Sequence, residues 1–125
     1  MANLTISVIS PEKVLYSGEG SSINIPGKDG YFGVLPDHAS LVAELDVGIL
    51  KITSGNSVVQ IVIEGGFAQV KANSISILTN GGDRKEAIKL AEVEKQLEQV
   101  SSKEYSPSKE LEIKKLKARI QLAKS

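Results

Sequence analysis

The chain has no cysteine and no tryptophan, a single histidine and a single methionine, and only 4% aromatic residues among its 125. Without cysteine there can be no disulfide, no thiolate metal site and no cysteine nucleophile. One histidine, His38, leaves almost no room for a histidine-based metal site or a triad. No stretch approaches the roughly 20 consecutive apolar residues that a membrane-spanning helix needs. The start of the sequence lacks a charged segment followed by an apolar run, so no secretion signal is expected and the chain reads as a cytosol-side protein. Neither a G-x-S-x-G elbow nor an H-E-x-x-H helix occurs. Gly27-Lys28 fails as a phosphate loop, because Ser22 stands where its first glycine belongs, Asp29 follows the lysine, and no helix is expected there. These absences describe a non-catalytic binding protein with no cofactor and no metal.

What is present falls into two parts. Residues 1–83 read as short strands between turns, and with so few aromatics their core must be aliphatic. Leu4, Ile6 and Val8 alternate with polar residues, and further strands are expected at 14–16, 23–25, 31–35, 41–45, 48–53, 58–63, 67–70 and 75–79. About nine strands with frequent turn signals predict a β-sandwich or flattened barrel. Gly65-Gly66 allows a bulge or sharp bend between two of them. The most distinctive stretch is Asp29-Gly30-Tyr31-Phe32-Gly33-Val34-Leu35-Pro36-Asp37-His38-Ala39. It is a short apolar strand pinned by two turns, Asp29-Gly30 and Leu35-Pro36-Asp37-His38. By itself it is a hairpin corner, with His38 facing solvent or a partner.

The pattern changes at Asn80-Gly81-Gly82. Asp83 and Glu86 fit a capping box, so a helix is predicted from that point. Leu90, Val93, Leu97 and Val100 then make one apolar stripe. Residues 101–105 interrupt it. Ser106-Pro107 is a second helix start, followed by the stripe Ile113, Leu116, Ile120 and Ala123. The expected chain is therefore α+β: an N-terminal all-β sandwich over 1–83, then a C-terminal antiparallel two-helix hairpin over 84–125. Helices of about 17 residues are marginal in water unless packed, so the hairpin must rest on the sandwich, on a partner, or alternately on both.

Charge is as unevenly distributed as secondary structure. Residues 1–83 carry four lysines against eight carboxylates, a net −4, whereas residues 107–125 carry six basic residues against two glutamates, a net +4. A nucleic-acid module would place its basic face on the folded body, so that class is disfavoured. Lys114, Lys115, Lys117 and Arg119 read either as a solvated helix face or as a contact for an acidic protein surface.

Strand followed by Ser10-Pro11, then Gly30-x-Phe32-Gly33-Val34-Leu35-Pro36-x-His38-Ala39, Gly48-Ile49-Leu50 and Glu64-Gly65-Gly66-Phe67, resembles the ε-subunit family of F-type ATP synthases over essentially the whole chain. The resemblance implies a ten-stranded sandwich and a non-catalytic rotor subunit of the central stalk, linking the γ subunit to the c ring during coupled ATP synthesis. It carries a γ- and ring-contact role onto Tyr31, Asp37 and His38. It also implies that the C-terminal helices can extend along γ and inhibit ATP hydrolysis, with Lys114, Lys115, Lys117 and Arg119 meeting an acidic segment of the catalytic α/β head. The expected location is peripheral, on the cytoplasmic face of the bacterial plasma membrane, with no direct membrane insertion. Some relatives bind ATP in the hairpin through an Ile/Leu-Asp-x-x-Arg-Ala motif. Here Lys89 stands at the Asp position and Glu92 at the Arg position, so ATP binding is not expected. Two other classes compete with this reading: a free-standing sandwich adaptor, which would lack a stoichiometric γ partner, and an enzyme, which would show turnover alone.

Overall fold

The computed structural model describes residues 3–37, 40–104 and 106–124. It contains β1 (Leu4–Ile9), β2 (Val14–Gly20), β3 (Ser22–Gly27), β4 (Gly30–Val34), β5 (Leu41–Ser54), β6 (Ser57–Lys71), β7 (Ser74–Thr79) and β8 (Gly82–Arg84). A single 3-10 turn at Lys85–Ala87 leads into α1 (Leu90–Ser101) and α2 (Pro107–Lys124). The β-sandwich followed by a helical hairpin is the architecture that the pattern predicts.

Two pairs of the nine expected strands merge, and β8, where a helix start is expected, brings the number among the described residues to eight. Residues 41–45 and 48–53 are one continuous strand, β5, and residues 58–63 and 67–70 are another, β6. The two run antiparallel along their length, and their pairing skips only Asp46 and Gly65, which mark a shared bend. Gly66 makes that bend feasible: its φ is +120°, and a Cβ there would stand 1.9 Å from the Leu78 carbonyl oxygen.

The bend folds one hydrogen-bonded path into two layers. One layer runs β2-β1-β7-β6-β5 through the halves of β6 and β5 beyond the bend, with β1 and β7 parallel. The other runs β8-β6-β5-β3-β4 through their remaining halves. Alternation along each strand sends aliphatic side chains inward. Leu4, Ile6, Val8, Ile23, Ile25, Leu50, Ile52, Ile61, Ile63, Ile75 and Ile77 are all buried in one cluster, with Phe32 and Tyr16 at its margin.

The helices differ from expectation at one end. Asp83 does not open a helix: it lies in β8, opposite Val62 of β6. Glu86 falls in the 3-10 turn, and α1 begins only at Leu90, after an extended Lys89 that supplies no side-chain cap. The pairing of β8 with β6, together with the ion pairs of Asp83, outcompetes the local capping signal. The second start is as predicted, with the Lys109 N–H donating to Ser106 Oγ at 3.1 Å and Pro107 at the first helical position. The connection between the helices is tied, since Lys109 Nζ donates to the carbonyls of Ser101 and Lys103.

The hairpin has its own core. Val93, Val100 and Leu116 are buried together, with Ile88, Leu97, Ile113 and Ile120 packed around them. This cluster is separate from the sandwich core. The hairpin meets the body through α2, which packs against β5 and β6.

Candidate functional site

The seam between α2 and the sandwich begins with helix geometry. At about 100° per residue, Lys114, Lys115, Ala118, Arg119 and Leu122 share one side of α2, distinct from the Ile113–Leu116–Ile120 side that faces α1. Lys117 lies between these two sides, exposed, where α2 borders a groove with β5. On the sheet, Val62 and Glu64 alternate with the core-facing Ile61 and Ile63, so they point outward from the second layer. Val62 is nevertheless fully buried, as is Leu122, and neither belongs to the sandwich or hairpin cluster. The seam therefore has a small apolar centre.

Ion pairs flank that centre. Lys114 Nζ donates to Asp46 Oδ1 at 2.7 Å, at the bend of β5. Arg119 forks between two strands: Nη2 lies 2.5 Å from Glu64 Oε2, and Nε donates to Asp83 Oδ2 at 3.0 Å. Lys115 Nζ stands 3.5 Å from Glu64 Oε1. From the opposite side Lys13 Nζ donates to Asp83 Oδ1 at 3.0 Å. That lysine is aimed by its turn, in which the Ser10 hydroxyl and backbone N–H both donate to the Lys13 carbonyl. The Glu64 backbone is fixed from behind: its N–H donates to the Gly81 carbonyl, and Asn80 Nδ2 donates to its carbonyl. Asn80-Gly81 is thus a brace for Glu64 as well as the boundary where the pattern changes.

The carboxylates respond to these neighbours. The Lys114 hydrogen bond holds the Asp46 carboxyl below the usual range, against a smaller upward push from burial. Burial pushes the Asp83 carboxyl up, but the hydrogen bonds and charges of Lys13 and Arg119 together outweigh it and hold it low. Three of the four cations expected to meet a foreign acidic surface are therefore paired with the chain's own body. Helix periodicity alone directs them outward and does not reveal Asp46, Glu64 and Asp83 as their partners, although the −4 and +4 halves are a signal that could have found them.

The residues of the Tyr31–His38 stretch separate. Tyr31 is exposed on β4 next to its hairpin turn, and its hydroxyl accepts the Ile49 N–H at 2.9 Å. There it borders an open groove of about 620 Å³ between Val47, Ile49 and the α2 residues Ile113, Lys117 and Gln121. Asp37 lies beyond the other end of β4, in left-handed conformation with φ +66°. It is clasped to the β6–β7 turn, its N–H donating to Asn73 Oδ1 at 2.6 Å and its Oδ1 accepting from Asn73 Nδ2 at 3.2 Å. His38 lies outside the described residues.

The first layer carries a further surface that strand periodicity alone does not reveal. Register places Val14 beside Ile9, Ile9 beside Leu78, and Leu78 beside Phe67. All four are on the outer phase of their strands, with exposures of 62%, 39%, 59% and 57% in that order. At about 4.8 Å per strand this apolar row extends roughly 14 Å across four strands. On β5 the register places Glu44 beside Phe67, with the exposed Val42 two pairs further along, opposite Gln69. The row lies on the opposite side of the sandwich from α2. Among the described residues no group of acidic or histidine side chains could hold a metal ion, and no helix is long and apolar enough to cross a membrane.

Fold and surfaces together define a β-sandwich with an exposed apolar row on one layer and a two-helix hairpin ion-paired to the other. Comparison with known proteins agrees. The family model of the ATP synthase delta/epsilon chain β-sandwich domain matches residues 3–84. The ATP synthase epsilon chain of Leptospira borgpetersenii is 48% identical over 120 residues, covering 96% of this chain and 94% of the relative. The chloroplastic epsilon chain of Pyropia yezoensis is 34% identical over 127 residues, covering 96% and 95%. Among solved structures, a chain of the Euglena gracilis mitochondrial ATP synthase OSCP/F1/c-ring assembly superposes with a TM-score of 0.84 at 25% identity, covering 100% of this chain and 83% of that one. A chain of the Tetrahymena thermophila central stalk/c-ring assembly shares the fold, with a TM-score of 0.65 at 18% identity over 98% and 95%. The chain belongs to the epsilon-chain family of ATP synthases, whose members are non-catalytic subunits of that complex.

Proposed function

We propose that the chain is the rotor subunit that joins the γ subunit to the c ring, and that it sits peripherally on the cytoplasmic face of a bacterial plasma membrane through that complex. The observation that carries this reading is the exposed row Val14–Ile9–Leu78–Phe67. Contiguous exposed apolar side chains are a cost to a lone soluble chain and mark a protein-binding face. The γ subunit is assigned to that face, and the contact roles of Tyr31, Asp37 and His38 remain with γ and the ring. Because Tyr31 and Asp37 lie at opposite ends of β4, they serve two separate contacts. The experiment is affinity purification of the tagged chain from native membranes. Stoichiometric γ and c subunits are expected, and their absence would leave a free-standing adaptor.

The hairpin supports a regulatory reading. Its core is its own, so it can leave the sandwich while keeping Val93, Val100 and Leu116 together, or extend entirely. In the released state Lys114, Lys115, Lys117 and Arg119 engage acidic surface of the α/β head and slow ATP hydrolysis. Removing residues 88–125 should raise hydrolysis by the assembled complex without preventing assembly. ATP has no place in this scheme. Lys89 and Glu92 reverse the charges of the nucleotide motif, and the nearby groove presents Glu64, Asp83 and Glu112 beside Lys115 and Arg119.

A further inference from the structure

We infer that Asn80-Gly81 is a site of spontaneous covalent modification: the Asn80 side-chain amide is lost as ammonia, the residue becomes aspartate or isoaspartate, and the Glu64 backbone loses a donor that holds it. The event needs no partner and no enzyme.

The step is internal and redox-neutral. The Gly81 backbone nitrogen gives its proton to hydroxide and attacks Asn80 Cγ. An N–Cγ bond forms, the Cγ–Nδ2 bond breaks, and Nδ2 leaves as ammonia from a five-membered imide. Water then opens the imide at either carbonyl, leaving a carboxylate on a normal backbone or on one lengthened by a methylene. Asparagine is short enough to engage its own neighbouring backbone, and a following residue without Cβ leaves the attacking nitrogen uncrowded.

Fold and sequence single out this position. Of the five asparagines, Asn3, Asn24, Asn56, Asn73 and Asn80, only Asn80 precedes glycine. The residue after each of the others lies in a strand: Leu4 in β1, Ile25 in β3, Ser57 in β6 and Ser74 in β7. Gly81 lies between β7 and β8, and its N–H has only a long 3.5 Å contact to Thr79 Oγ1. Asn73 is held at both amide atoms by Asp37, whereas Asn80 is exposed and, among the described residues, tethered through Nδ2 alone. The glycine is itself demanded by packing. A Cβ at position 81 would stand 2.8 Å from Glu64 Oε1, on a carboxylate that Arg119 and Lys115 hold in place. Asn80 also borders a polar cavity of about 300 Å³ shared with Lys13, Asp83 and Arg119, roomy enough for the water that opens the imide.

The nitrogen expelled is the one that donates to the Glu64 carbonyl at 3.2 Å. An ionised carboxylate only accepts, so its replacement faces that carbonyl oxygen with no proton between them. It also adds negative charge to the cavity where Glu64 and Asp83 already share Arg119.

The test is incubation of the full chain at mildly alkaline pH, with its proteolytic fragments followed by mass spectrometry. Each event replaces an amino group by a hydroxyl, and fragmentation places it. Conversion at position 80 should run at least about tenfold faster than at Asn56 or Asn73. It should accelerate about tenfold per pH unit, because the attacking nitrogen is deprotonated far below its pKa. Asn80→Gln keeps an amide donor but requires a larger ring, and should slow conversion there at least about tenfold. In the converted fraction, exchange of the Glu64 amide hydrogen should quicken by about fivefold or more, the effect of losing one hydrogen bond. Equal rates at the three asparagines, insensitivity to pH, undiminished conversion in Asn80→Gln, or unchanged Glu64 exchange in the converted fraction would each overturn the proposal.

Discussion

The Tyr31 hydroxyl lies 2.6 Å from the point where a Cβ on Gly48 would stand, so the tyrosine is seated in space that only glycine leaves open. The same point is 2.6 Å from Pro26 Cβ. Strand β5 thus accepts β3 and β4 side chains at a position with no side chain of its own, and the Tyr31 hydroxyl uses the gap to reach the Ile49 N–H.

Gly48→Ala should therefore expel the Tyr31 ring and destabilise the sandwich by about 1–3 kcal/mol, as overpacking does. Tyr31→Phe keeps the ring and loses one hydrogen bond, a cost of about 1 kcal/mol. Urea unfolding of the two variants checks the order. A Gly48→Ala protein as stable as the parent would show that the ring has room to move.

Gly66 is the more severe case. With φ at +120° and the Leu78 carbonyl oxygen 1.9 Å from the place an added methyl would occupy, alanine has no low-strain conformation there. Gly66→Ala should cost more than about 3 kcal/mol, combining backbone strain with steric displacement of β7. The measurement is the midpoint of thermal unfolding, or soluble yield if the variant does not survive.

The apolar row should behave in the opposite way. Phe67→Ser and Leu78→Ser alter side chains that are more than half exposed, so folding stability should change by less than about 1 kcal/mol. Binding to the γ subunit should weaken by more than about 1 kcal/mol, roughly fivefold or more. Titration calorimetry with purified γ separates the two effects. Unimpaired binding would move the γ contact to another face.

Acid should loosen the hairpin before it unfolds the sandwich. The carboxyls of Asp46, facing Lys114 and Lys28, and of Asp83, facing Lys13 and Arg119, lie below their ordinary value of 3.8 in the docked state. The Lys114 and Arg119 contributions vanish on release, and each carboxyl then moves back toward that value. Their contribution to docking is therefore complete above about pH 4 and is lost as pH falls through the lowered values. Amide hydrogen exchange along α2 should be flat between about pH 5 and 8 once corrected for intrinsic rates, then accelerate in acid. A transition near neutrality would implicate another group.

The sandwich is legible in the sequence because aliphatic alternation is a strong signal, and the Ser106-Pro107 start is legible because capping is local. Asp83 shows where local logic stops. Its spacing to Glu86 satisfies a cap, but β8 pairing and Arg119, 36 residues away, decide its place. Strand number fails for a related reason. Asp46 and Gly65 look like breaks in sequence, yet they are opposite each other, so two interruptions become one shared bend. The binding faces are the least readable. Ile9, Phe67 and Leu78 are ordinary strand residues until register sets them side by side, and Glu64 is an ordinary surface acid until α2 lies over it.

The passage of β5 and β6 through both layers has a mechanical meaning. In a sandwich of two independent sheets, a sideways load can slide one sheet over the other, because the contact between them is nondirectional. Here such sliding would have to stretch two covalent chains and tear the ladder between them on both sides of the bend. The body is thus stiff against shear and suited to carrying torque from one end to the other. The hairpin, held by ion pairs to Asp46, Glu64 and Asp83, lies outside that ladder.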